Sequence, residues 1–385
     1  MTTVVVAGAV ANRAGNAGEA WVRMSWAVGL RRLGCHVVLA EQLDPGLCTD
    51  DAGLPAGFVH SRQRAWFSDV VRRFGFEHEA ALLCGDAHEG LSPSSVADVL
   101  AEADLLVNIS GHLRDEALLR LPRRRAYVDL DPGFTQLWHE AGDGGAALAG
   151  HDDYFTVGEN VGRPGCTVPT GGLAWRPVRQ PVVLDEWPVC GETPTRGFTT
   201  VASWRAPFGP PTGGGKSYTL KHHQVRAFVG LAGAVTMPLE MALSIDRADD
   251  GDRRLLEEHG WSVVDPGTVV GTPDDFRAYV QSSTGEFTCA QGVYVETASG
   301  WFSDRSVRYL ASGRPAVVQD TGFGRTLPEG EGLLSFRTPA DARRALEAIV
   351  ADYERHAKAA RALAEAEFDA TVVLGRFLEQ VDVAP

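Results

Sequence analysis

The sequence predicts an α/β protein of two domains, each built on a parallel sheet with helices on both faces. Three observations carry this. The chain has 385 residues, more than one hydrophobic core usually serves. Short apolar runs rich in β-branched residues alternate with stretches of helical periodicity, and they do so in two separate series. Between the series Pro169, Pro177, Pro181, Pro188 and Pro194 crowd together, the composition of a linker. The expected units are a first domain over 1–175, a linker over 176–195, a second domain over 196–365 and a C-terminal helical segment over 366–385.

The first series opens on TVVVAGAV, a buried strand, followed by the loop ANRAGNAG and a helix over 19–33 that Gly34 ends. HVVLAEQ is the next strand and completes a βαβ unit. Helix 96–103 and the strands in LLVNISG, RAYVDLDPG and YFTVGEN continue it. The second series runs through the strand GFTTVASW, a helix in KHHQVRAFVGLAG, a strand within AVTMPLEMALS, the helix RRLLEEHG and the strand WSVVDP. The helix DDFRAYVQSS, the strand GEFTCAQ, a helix over 304–312 and the strand RPAVVQD follow. From 340 on the chain reads as helical, with one face suited to packing.

Composition excludes several classes. A formal net charge of -14 repels a phosphate backbone, so nucleic acid is not an expected partner. The six cysteines are scattered without a C-x-x-C pair, against a disulfide framework or zinc knuckle. The N-terminus has neither a basic region nor an apolar stretch long enough for a signal peptide or a membrane span, so a cytoplasmic protein is expected. No metal-ligand cluster or nucleophile elbow is present.

Several segments carry candidate chemistry. The loop 8–18 follows the first strand, where open α/β sheets bind ligands, but its glycines lack the G-x-G-x-x-G spacing. FGPPTGGGKSY resembles a phosphate loop only superficially, because Pro210 occupies a required glycine position; it reads as a flexible surface loop. Lys221, just beyond, is placed to meet a phosphate as a point charge. The richest segment lies around 300–321. Gly300 precedes a turn, Ser303 and Asp304 form the N-terminus of a helix with free N–H groups, and Arg305 adds a fork of donors. The strand after Pro315 then delivers Asp320, Thr321 and Gly322 to its carboxyl end. Asp131, in a turn, and His112, just after a strand, are candidate acid–base groups.

With GNAGEAW, the proline-rich linker and GWFSDRSVRYLASGRPAVVQDTGFG in this order, the chain resembles bacterial GT-B glycosyltransferases, and closely a group sharing W-F-S-D-R-S, G-R-P and Q-D-T-G-F. The resemblance implies two Rossmann-like domains facing across a cleft, with the C-terminal helix crossing back onto the first. It implies transfer of a sugar, hexosyl in type, from a nucleoside-diphosphate donor to a hydroxyl of a small-molecule acceptor, as in antibiotic biosynthesis, without a metal or other cofactor. Carried over, Ser303, Asp304, Arg305 and Ser306 line the diphosphate at Gly300, with Lys221 as second cation. Ser203 and Trp204 border the pocket, Asp320, Thr321 and Gly322 lie near the donor sugar, and Gly15, Asn16 and Gly18 close over it from the other domain. Asp131 and His112 are the catalytic candidates.

The pattern is broken at two positions. The glutamate-x7-glutamate signature is absent, since eight residues after Glu286 comes Tyr294. Five before Gly313, where a ribose-binding glutamate is common, stands Arg308. A GT-B-fold epimerase or phosphorylase, and a non-catalytic nucleotide-sugar-binding protein, are the alternative readings; monomer and homodimer both stay open.

Overall fold

The computed structural model describes residues 1–191, 193–206 and 208–385; Glu192, inside the expected linker, lies outside the described residues. The first sheet is built from β1 (Thr3–Ala7), β2 (His36–Gln42), β3 (Ala80–Cys84), β4 (Ala87–Gly90), β5 (Leu105–Ile109), β6 (Arg125–Asp129), β7 (Asp153–Thr156) and β8 (Trp175–Pro177). Its strand order is β4-β3-β2-β1-β5-β6-β7-β8. All neighbours are parallel except β3 and β4. The apolar run of β1 is explained by burial on both faces. Val4 and Val6 pack with the helix Ala17–Arg32, while Val5 and Ala7 pack with the helix Pro93–Glu102, as a parallel strand between helical layers requires.

The second half contributes β9 (Arg196–Ser203), the short hairpin strands β10 (Thr212–Gly213) and β11 (Lys216–Ser217), then β12 (Leu239–Ser244), β13 (Ser262–Val264), β14 (Ser283–Thr288), β15 (Ala316–Gln319) and β16 (Leu333–Phe336). Apart from the hairpin these form a parallel sheet of order β13-β12-β9-β14-β15-β16. In both sheets the chain moves outward one way, returns to the centre and moves outward the other way. The reversal falls between β1 and β5 in the first sheet and between β9 and β14 in the second. Such switch points open a crevice beyond the carboxyl ends of the strands, where ligands bind.

The two halves are joined by more than a tether. The helix Ala370–Gln380 crosses back onto the helix Ala17–Arg32, with Phe377 edge-on to Trp26 at 5.1 Å. Gly29 makes this approach possible, because a Cβ there would lie 2.5 Å from Leu374 Cδ1. The proline-rich stretch contributes β8 to the first sheet, and Val182 bridges to Asp369. Trp187 is buried 4.8 Å from Trp21, whose indole N–H donates to Pro273 O at 2.8 Å. The result is the GT-B architecture, with two Rossmann-like sheets facing across a cleft.

Three local expectations change. The helix expected through KHHQVRAFVGLAG spans only Lys221–Ala227 and gives way to a 3-10 turn over Val229–Ala234, where two glycines weaken an α-helix. FGPPTGGGKSY is not a flexible loop. It forms the β10–β11 hairpin, whose Gly214 and Gly215 have φ of +57° and +77°, the two left-handed residues of a tight hairpin turn. Phe208 packs against Phe134 and Trp138 at 4.8 and 4.9 Å, so this hairpin clasps the first half at the helix Phe134–Glu140. The segment between β2 and Pro93, for which no element was expected, holds the helix Arg62–Arg73 as well as β3 and β4.

Candidate active site

The first sheet presents its chemistry at the β1/β5 switch point. After β1, the loop over 8–16 is held by Glu41 at the end of β2, whose buried carboxylate accepts from the main-chain N–H of Val10, Ala11 and Asn12 at 2.8–2.9 Å. Gly15 turns left-handed beneath Arg62, and Asn16 caps the following helix through the N–H of Glu19 at 3.2 Å. Gly18 faces Phe276 of the second half at 3.5 Å from a notional Cβ. After β5, Ser110 and Gly111 both adopt positive φ, +54° and +64°. A left-handed serine at a switch point is local strain of the kind that gathers at functional sites. His112 follows this turn and is half-buried.

His112 and Asp131 have opposite electrostatics. Burial, together with the Arg23 and Arg13 charges, lowers the His112 imidazole to about 3, so it is neutral at neutral pH. Burial pushes the Asp131 carboxyl up to about 6, and the neighbouring Asp129 and Glu19 charges add to this against the hydrogen bond from Tyr294. Asp129, fully buried, is held by the Thr135 and Thr156 hydroxyls and the Gln136 amide. The turn that carries Asp131 is therefore anchored to the end of β6.

In the second half the sequence-predicted donor residues separate into three places. Lys221 and the N-terminus of the helix Asp304–Ala311 meet at the β9/β14 switch point, with Ser203 exposed at the end of β9. The Ser303 hydroxyl caps the Arg305 N–H at 3.2 Å. Lys221 is part-buried and forms no ion pair among the described residues, although the Glu286 and Asp304 charges act on it. Burial, and then the Arg305 charge, lower its amine to about 8. Arg305, by contrast, is turned inward. Its Nε donates to Glu286 Oε1 at 2.6 Å, and its two terminal nitrogens donate to Val201 O and Thr288 Oγ1 at 2.7 Å each. The expected guanidinium fork on a phosphate is thus corrected to a buried ion pair, because the inner face of this helix meets the otherwise uncompensated Glu286. Ser306 is likewise buried.

Trp204 does not border the pocket. It is 2% exposed inside the second core, its indole N–H donating to Asp252 at 2.9 Å. Gly300 and Gly322 are also placed differently from expectation. Both have positive φ and both receive Asn160 from the first half. The Asn160 amide donates to Ala298 O at 3.1 Å and Gly322 O at 3.0 Å, and its main-chain N–H donates to Ser299 O at 3.0 Å. Thr321 donates its hydroxyl to Trp301 O and accepts the Gly300 N–H. Asp320 is held by Arg337 at 2.6 Å and lines a cavity of about 460 Å³ with Gln319, Gly322, Arg325 and Glu329. Lys221 is not among its lining residues. Among the described residues no group of three or more His, Cys, Asp or Glu is placed to hold a metal ion.

One contact across the cleft, and one charge that acts across it, escaped sequence reasoning. Tyr294 donates its hydroxyl to Asp131 Oδ1 at 2.8 Å. Glu19 pairs with Arg23 on one helical face, and its charge acts on both Asp131 and Arg308. Arg308, buried, binds the Asp304 carboxylate at 2.7 Å. For Glu19 the signal was present, as a glutamate three residues after a capping asparagine in GNAGE.

No protein-family model and no curated protein matches the sequence. Solved structures do. The chain is similar to a glycosyltransferase from Rickettsia africae ESF-5, with a TM-score of 0.54 and 11% identity over 98% of this chain and 97% of that one. It is similar to Anabaena Alr3699/HepE in complex with UDP-glucose, with a TM-score of 0.60 and 10% identity over 99% and 100%. It is also similar to AviGT4, a glycosyltransferase involved in avilamycin A biosynthesis, with a TM-score of 0.56 and 14% identity over 99% and 97%. At these identities the likeness is one of fold, and the fold is GT-B.

Proposed function

We propose that this protein is a glycosyltransferase that moves a sugar from a nucleoside-diphosphate donor to a hydroxyl group of a small-molecule acceptor. The observation that carries the reading is Lys221. A part-buried ammonium with no directly bonded carboxylate, lowered by burial and by Arg305, beside the N-terminus of the helix Asp304–Ala311, is a site suited to an anion. It lies at the switch point of the second sheet, where the GT-B fold opens its cleft. The diphosphate charge is then met by Lys221, the field of Arg305 and the helix N-terminus, without a bound metal. HepE, whose structure holds UDP-glucose, supports a nucleotide sugar as donor. AviGT4, involved in avilamycin A biosynthesis, is in keeping with a natural-product acceptor.

Asp131 is the better base of the two candidates. A carboxylate near 6 is poised close to neutral pH, whereas an imidazole near 3 is a weak proton acceptor. One Asp131 oxygen takes the Tyr294 hydroxyl, which leaves the other for the acceptor hydroxyl. In the reaction Asp131 takes the acceptor proton and the acceptor oxygen bonds to the anomeric carbon. The bond from that carbon to the diphosphate breaks with its electron pair on the leaving oxygen, stabilised at Lys221. His112 stays neutral and orients the acceptor. A thermal-shift screen with UDP, GDP and dTDP tests the donor half: saturation 100-fold above the dissociation constant stabilises by about 2.7 kcal/mol. No shift with any of the three would count against the reading.

A further inference from the structure

Arginine in this acidic chain is matched to carboxylates again and again, as in Arg64–Glu89, Arg73–Asp274, Arg124–Asp153, Arg125–Asp152 and Arg179–Glu159. Arg13, Arg62 and Arg114 are among the arginines that stand outside such pairs. Among the described residues none of them has a carboxylate partner, and all three converge on the carboxyl edge of the first sheet. Gln42, at the end of β2, draws two of their loops together. Its carbonyl accepts from the Asn12 side chain at 2.7 Å, next to Arg13, and its Oε1 accepts from the Arg114 N–H at 2.6 Å. Arg62 donates to Ala14 O at 2.8 Å and so holds the other side of the first loop. Arg114 reaches Gly145 O at 3.0 Å. Between them lies His112, on which the Arg23, Arg13 and Arg114 charges all act.

The carboxylates nearby are committed elsewhere. Glu41 is consumed by the N–H groups of Val10, Ala11 and Asn12. Glu19 pairs with Arg23, Asp115 caps the helix Glu116–Leu119, Glu116 pairs with Arg120, and Asp44 accepts from Gly46 N–H. Of these carboxylates Glu19 also feels the Arg13 charge, but none forms an ion pair with Arg13, Arg62 or Arg114, and guanidiniums grouped in this way raise the local concentration of anions and favour their binding. We propose that the acceptor carries an anionic group, a carboxylate or a phosphate, held by Arg13 and Arg114 while its hydroxyl faces Asp131 and His112. This rests on the transferase reading above, and it names the substrate class that reading leaves open.

The test is binding calorimetry on the intact chain with glucuronate, glucose 6-phosphate and neutral glucose as probes, and UDP as a separate titrant. Wild type is compared with the double variant Arg13→Gln/Arg114→Gln, with Arg13→Gln alone and with Lys221→Ala. Glucuronate or glucose 6-phosphate should bind at least tenfold more tightly than glucose, and whichever wins separates carboxylate from phosphate. Both Arg13 variants should lose most of that preference and keep wild-type UDP affinity, while Lys221→Ala should do the reverse. The single variant, at an exposed side chain, keeps the test valid if the double one folds poorly. Equal affinity for charged and neutral probes, or a preference untouched in Arg13→Gln, overturns the inference while UDP binding through Lys221 stands. Absence of binding by UDP, and by GDP and dTDP titrated in its place, in wild type overturns the transferase reading instead.

Discussion

The Tyr294 hydroxyl donates to Asp131 Oδ1 at 2.8 Å, although 163 positions separate the two in the chain. Tyr294 sits on the short helix Gly292–Glu296 of the second half, and Asp131 follows β6 of the first. The bond therefore does two things. It latches the halves across the cleft, and it stabilises the ionised form of the carboxylate that the reaction needs as a base.

This gives a pH prediction. With Asp131 as base, kcat/KM rises with pH as the carboxyl deprotonates, through a midpoint near 6. Tyr294→Phe removes a hydrogen bond to the charged form, so the Asp131 pKa climbs further. The acidic limb should move to higher pH by about 1–2 pH units, since a hydrogen bond to a charge contributes roughly 1.5–3 kcal/mol. A pH–rate profile of Tyr294→Phe superimposable on wild type would exclude Asp131 as the titrating base.

Lys221 gives a second. Burial and the Arg305 charge hold its amine near 8, below the ordinary lysine range. It is charged below that value and becomes neutral above it, so nucleotide affinity should be full near pH 7 and decline as pH rises through 8 and beyond. Bound diphosphate shifts the decline upward by favouring the ammonium. Calorimetry at pH 7 and pH 9.5 checks the direction. Lys221→Ala should weaken binding about 10- to 100-fold at pH 7 and abolish the alkaline decline.

The Arg305–Glu286 pair gives a stability prediction. Glu286 is fully buried, and Arg305 is its ionic partner. Arg305→Met strands that carboxylate and should destabilise the fold by about 3–5 kcal/mol, whereas Arg305→Met with Glu286→Leu should recover most of the loss. Thermal unfolding of the three proteins reads this. A single variant as stable as wild type would mean that the arginine is free for a ligand after all.

A fourth prediction concerns the clasp at Gly300 and Gly322. A Cβ on Gly300 would stand 2.9 Å from the Asn160 main-chain N, at φ +76°. Gly300→Ala should therefore cost about 1–3 kcal/mol through strain and the displaced contact. Asn160→Ala should lose two hydrogen bonds to the second half without that strain. Limited proteolysis of both variants should show faster cleavage between the halves than in wild type, and unchanged rates would count against an interdomain role.

How much of this was legible in the sequence depends on the range of the interaction. HVVLAEQ coincides with β2, and the helix expected over 304–312 is found at Asp304–Ala311, because period and capping are local. The inward turn of Arg305 was hidden, since its partner Glu286 lies on another strand and no periodicity reports which face of an amphipathic helix a charge will occupy. The same holds for Gly300. A turn after Gly300 was readable, but its contact with Asn160, 140 residues earlier in the sequence, was not. Tyr294 was noticed only as the residue standing where a signature glutamate was absent, and its bond to Asp131 exists only once the two sheets face each other. The hairpin at Thr212–Ser217 carries a Gly-Gly turn signal that Pro210 and Pro211 obscured.

The central claim is a nucleotide-sugar donor bound at Lys221. Its most direct measurement is release of free nucleoside diphosphate from a panel of UDP-, GDP- and dTDP-sugars in the presence of a mixed pool of hydroxyl-bearing acceptors, for wild type and Lys221→Ala side by side. The account predicts acceptor-dependent release from one class of donor, reduced at least tenfold in the variant. Absence of release with every donor, or equal release by the two proteins, would contradict it.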